Sequence, residues 1–169
     1  MKESSLYGDG EWIVHAHYGV GQIKGVEVKA ISGEETRYFK VKTRDSIFWV
    51  PVDQIDSELL RPVSAPEDIQ KAIATLRKAP QEMSSNYKTR QSRIQRVRQR
   101  NTPRAIARLI RDLRARKREK GILNSTERSA FRTLKKRLVH EWAVVADAET
   151  DDVASKLDDL LALRKASAD

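Results

Sequence analysis

Residues 86–138 read NYKTRQSRIQRVRQRNTPRAIARLIRDLRARKREKGILNSTERSAFRTLKKRL. Three helices are written into this stretch. The first starts near Ser84 or Ser85 and runs to about Gln99, with only Tyr87, Ile94 and Val97 as apolar positions. The second has Thr102 as its cap and Pro103 at the first helical position, where a missing N–H costs nothing. Its Ile106, Leu109, Ile110 and Leu113 fall at i, i+3, i+4 and i+7, so one face is core. Gly121 stands where a left-handed residue ends a helix. The third has Asn124 as cap and Glu127 at the capping-box position. Phe131, Leu134, Leu138 and Trp142 supply its buried stripe.

The charge of the same region is lopsided. Residues 81–140 hold nineteen Lys/Arg against four Asp/Glu, a net +15 in a chain whose total is +9. Residues 1–80 are nearly neutral at −1, and residues 141–169 carry −5. The bland alternative is a solvated helical surface. However, such a density of like charge repels itself unless something negative offsets it, and arginine, which dominates here, matches phosphate geometry. Nucleic acid is therefore the expected partner, held through its phosphates. The candidate phosphate contacts are Lys88, Arg90, Arg93, Arg128, Arg132 and Lys135. Tyr87, among these cations, reads either as a core aromatic at a helix start or as a residue that stacks on bases.

Outward from this stretch, a further helix is expected from Ser64 as cap, with Pro66 and Glu67 in its first turn. Ile69, Ile73 and Leu76 form its stripe, and Pro80 ends it. Beyond the basic region, Asp147–Asp152 is acidic and expected to be loose. Val153, Leu157, Leu160 and Leu161 then suggest a short amphipathic helix. Residues 12–52 read as β. Trp12–His15 opens a strand, and the glycines between Tyr18 and Gly25 suit tight turns or a bulge. Ser32-Gly33 and Arg44-Asp45 are turn signals. Alternation puts Phe39 and Val41 on one face of their strand. In the next strand Phe48, Val50 and Val52 share a face, and Ile47 and Trp49 the opposite one. That second pair is either buried in a two-layer core or exposed for a protein partner. The fold class is thus α+β: a small Tudor/SH3-like β-barrel over residues 1–62, then an all-α helical bundle over residues 63–169 with an acidic tail from about 146.

Other classes find little support. There is no cysteine, hence no disulfide framework or thiolate metal site. The N-terminus lacks a signal-peptide core, and no apolar run suffices to cross a bilayer. A cytoplasmic, nucleoid-associated protein is expected. His15 and His17 alternate, but no third metal ligand accompanies them. The Gly19–Gly25 glycines lack the Lys-Ser/Thr ending of a phosphate loop. No catalytic grouping is visible. The expectation is a monomer that is not an enzyme, with no cofactor, metal, membrane or small-molecule ligand.

The order of these features resembles the CarD/CdnL family of bacterial transcription regulators. The residues that carry it are Trp12-Ile-Val-His-Ala-His-Tyr-Gly-Val-Gly-Gln-Ile23, Phe48-Trp-Val-Pro-Val-Asp53, Leu60-Arg-Pro62, Leu76-Arg-Lys-Ala-Pro80, Ile110-Arg-Asp-Leu113 and Glu127–Trp142. The resemblance spans about residues 9–145. It implies a Tudor-like domain that docks on the RNA polymerase β-subunit. It also implies a helical domain that meets promoter DNA at the upstream edge of the transcription bubble and stabilises the open complex. The family's wedging Trp falls at Asn86-Tyr87, so Tyr87 takes that place with less stacking area. Basic polymerase-facing positions of the family fall near Lys29 and Trp49, the second now a large aromatic. Transcription-repair coupling factors share the sheet, but this chain has neither their length nor a nucleotide-binding loop. A rival reading is a sequence-independent nucleoid- or RNA-binding structural protein without polymerase contact; another is a basic protein-interaction adaptor.

Overall fold

The computed structural model describes residues 7–31, 33–54 and 59–167. The chain divides into two compact units between Val63 and Ser64, each with its own apolar core.

The first unit is an antiparallel sheet of β1 (Trp12–His15), β2 (Gly19–Ile31), β3 (Glu34–Thr43), β4 (Ile47–Pro51) and β5 (Leu60–Pro62). The spatial order is β4-β3-β2-β1-β5. The sheet is Tudor-like but open: among the described residues β4 and β5 remain its two edges, so it does not close into a barrel. The glycine-rich stretch does not separate two strands as a turn would. It lies mostly inside one long strand, β2, which bulges between Ile23 and Val26, with Gly25 at φ +129°. At Gly21 the β3 strand comes so close that a Cβ would sit 2.6 Å from Val41 Cγ1. Alternation then decides the core: Ile13, Ile23, Phe39, Val41, Phe48 and Val50 are buried together. Their neighbours Ile47 and Trp49 point the other way.

The second unit is a helical bundle of α1 (Pro66–Arg77), α2 (Tyr87–Arg100), α3 (Pro103–Lys120), α4 (Ser125–Ala146) and α5 (Thr150–Ser167). Local caps fix most boundaries. Thr102 Oγ1 accepts from Ala105 N, and Asn124 Oδ1 accepts from Glu127 N at 2.8 Å while Glu127 Oε1 accepts from Asn124 N. Gly121 ends α3 in the left-handed region. The basic helix starts at Tyr87 rather than Ser84 or Ser85, because Asn86 Oδ1 takes the Thr89 N–H. The cap of α1 is Ala65, one residue after the expected Ser64. Asp68 accepts from the Ala65 N–H, and the Ser64 N–H goes instead to the buried Glu141 carboxylate at 2.7 Å.

The central helix is α3, whose Ile106, Leu109, Ile110 and Leu113 are fully buried. The acidic segment before α5 is ordered, contrary to expectation. Asp147 ends α4 in the left-handed region, and Thr150–Asp152 form the first turn of α5. Acids at a helix N-terminus favourably oppose its dipole. The helix itself is 18 residues long, and Val153, Leu157, Leu160 and Leu161 are all core. No described helix is long and apolar enough to cross a membrane.

Candidate protein and nucleic-acid interfaces

The outer face of the sheet carries an ordered aromatic. Trp49 lies opposite Lys40 in the β3–β4 register. The Lys29 ammonium sits 3.7 Å from the centre of the Trp49 ring, a cation–π contact of about 0.5–1 kcal/mol at an exposed site. The indole N–H donates to Glu27 Oε1 at 3.1 Å, and Glu27 Oε2 pairs with Lys40 Nζ at 3.5 Å. Trp49 is nevertheless 38% exposed and Ile47 44%. The three candidate residues Lys29, Ile47 and Trp49 therefore share one face, with the indole already held in place. His15 and His17 do not form a matching pair of ligands. The His15 Nδ1 accepts the His17 and Tyr18 N–H groups, and its ring packs against Phe48. Among the described residues no group of three metal-ligating side chains exists.

In the bundle, Tyr87 is the first residue of α2 and is 51% exposed, so it is not a core aromatic. The Gln91 side-chain amide donates to its hydroxyl. Lys88, next to it, is exposed, as is Arg132 on α4. Three other candidate contacts are exposed or part-exposed but already engaged. Arg93 Nη2 pairs with Asp112 Oδ2 at 2.7 Å, Arg128 Nη1 donates to Leu123 O at 2.7 Å, and Lys135 Nζ pairs with Asp158 Oδ1 at 2.5 Å.

Arg90 is a correction. It is only 8% exposed. Its Nε donates to Glu127 Oε2 at 2.6 Å, and its Nη1 donates to the carbonyls of Ser84 and Ser85, each at 3.0 Å. A guanidinium spent on one carboxylate and two backbone carbonyls has no fork left for phosphate. Arg90 instead fastens the chain before α2 to the start of α4. Asp112 plays the same part nearby. Its side chain is fully buried and accepts from Gln81 N, Arg93 and Arg111, while Arg111 Nη1 reaches Thr75 O.

Two of the four acids of the basic region are thus interior, and none of the ion pairs among the described residues engages Lys88 or Arg132. Burial lowers the pKa of the Arg137 guanidinium, and the charge of Arg98 lowers it further. Sequence reading passed over Arg96, Arg100, Arg104 and Arg108, all exposed on α2 and α3. Their regular spacing of four residues was the available signal.

Residues 7–64 match the family model described as the CarD-like/TRCF RID domain, and residues 71–158 match that of the CarD C-terminal domain. The chain belongs to the CarD family. Transcription-repair-coupling factors of two Staphylococcus epidermidis strains are 37% identical over 73 residues, covering 42% of this chain. This chain spans about 5% of the length of those relatives. The shared part is thus a small module within much larger proteins.

Proposed function

We propose that this chain is a non-catalytic transcription regulator that binds RNA polymerase through its sheet and promoter DNA through its bundle. The observation that carries the proposal is the pairing of a CarD-like/TRCF RID domain with a CarD C-terminal domain in one chain. The polymerase β-subunit is the partner proposed for the outer face of the sheet. An aromatic whose N–H is satisfied and whose face is covered by a cation loses little freedom on docking, and such anchors dominate interface energies. Trp49 and Ile47 form the apolar centre, and Lys29 lies at its rim.

On the bundle, Lys88 and Arg132 hold phosphates without reading sequence, and Arg93, Arg128 and Lys135 contribute the donors left after their internal bonds. Tyr87 packs against the opened base step at the upstream edge of the bubble and slows its collapse. Co-elution of the full chain with purified RNA polymerase tests the first half. Trp49→Ala should lose at least about 2 kcal/mol of binding, the scale of a central anchor. Retained affinity in that variant would move the contact elsewhere on the chain.

A further inference from the structure

A cleft of about 400 Å³ opens between the end of α2 and the start of α3. Arg93, Arg96 and Arg100 line it from α2, and Arg104 and Arg108 from α3, with Thr102 at the turn between them. No carboxylate belongs to the lining. Arg93 is tied to Asp112. The other four arginines are exposed, and none of the ion pairs among the described residues engages them. The apolar positions force this arrangement. Ile94 and Val97 of α2 and Ile106 of α3 turn inward to the core, and the tight corner at Asn101-Thr102 brings the outward arginines of both helices to one hollow. Tyr87 is at the other end of α2, thirteen residues away, or ~20 Å at 1.5 Å per residue.

We propose that this cleft is a binding site for a small soluble ligand bearing a linear phosphate chain of three or more phosphates. Its volume lies within the ~300–1,000 Å³ of ordinary ligand pockets. Guanidinium forks bind phosphate oxygens in pairs, and several forks around one hollow match several adjacent anionic groups. A duplex spreads its charge along its axis, about one per 3.4 Å on each strand. It would meet a concave site with one or two phosphates at a time. A phosphate chain puts its charges on neighbouring groups, so the four arginines without an ion pair have a partner at once. The site uses neither Tyr87 nor the sheet, and of the cations proposed to face the promoter it shares only Arg93.

The experiment is calorimetric titration of the full chain with sodium tripolyphosphate at fixed ionic strength. Saturable binding of one tripolyphosphate per chain is expected. Arg100→Ala and Arg104→Ala should each weaken it at least about tenfold, the scale of one lost charge-assisted hydrogen bond. Lys88→Ala and Arg132→Ala should leave it unchanged. Both arginines are exposed, and unchanged circular dichroism melting checks that the variants remain folded. Binding that does not saturate, or that falls equally in all four variants, would reduce the cleft to diffuse charge and overturn the proposal. So would variants that weaken duplex DNA binding while tripolyphosphate binding is untouched, because the cleft would then serve a nucleic-acid strand.

Discussion

Arg90→Met separates a structural arginine from a phosphate contact. The substitution keeps an apolar stem of similar reach and removes the guanidinium. It leaves the Glu127 carboxylate, 3% exposed at its side chain, without the partner 2.6 Å away. Stranding one member of a buried ion pair costs about 3–5 kcal/mol. Two features pull the cost toward the lower end. Glu127 Oε1 still accepts the Asn124 N–H, and Arg116 Nε stands 3.7 Å from the same oxygen. About 3 kcal/mol is expected. At a urea slope of about 1–2 kcal/mol per molar, the midpoint of the helical unit falls by about 1.5–3 M. Urea unfolding followed at 222 nm reads this, because the helices lie in the second unit and the strands in the first. Adding Glu127→Leu should recover more than half of the loss, since a buried pair replaced by apolar side chains is often neutral. An Arg90→Met variant with unchanged stability and weakened DNA affinity would refute the assignment and return Arg90 to the DNA surface.

Tyr87→Ala should shorten the lifetime of open promoter complexes about five- to more than a hundredfold, the range for one stacked base worth about 1–3 kcal/mol. Filter-binding decay against a DNA competitor measures it, and polymerase co-elution should be unaffected. Leu157→Ala, in the fully buried stripe of α5, should destabilise the bundle by about 2–5 kcal/mol. A urea midpoint that does not move would show that the C-terminal helix is not part of the cooperative core.

Features set by neighbours in sequence were legible before the fold was known. Thr102-Pro103 and the Asn124/Glu127 box each act within one helical turn, and each starts a helix where expected. That Ile47 and Trp49 lie on the face opposite Phe48 and Val50 followed from strand alternation, while their exposure, which alternation left open, came only with the structure. What was not legible depends on partners distant in sequence. Glu127 reads as a cap, and nothing near it says that its second oxygen takes Arg90, 37 positions away. Ser64 is a good cap in isolation, but its backbone is claimed by Glu141, 77 positions on. The acidic segment at Asp147 looks like a loose tail until α4 and α1 supply the faces that α5 covers. The five-arginine hollow exists only once the corner at Asn101 sets α2 against α3.

Asp112 bears on how genetic data for such a protein would be interpreted. One fully buried carboxylate joins the backbone at Gln81, an arginine of the tyrosine-bearing helix and an arginine that reaches Thr75. The helix that begins with Tyr87 is therefore anchored from inside the bundle. If the bundle holds promoter DNA as proposed, a change at Asp112 would appear in a screen as a promoter-contact defect, although that side chain is fully buried.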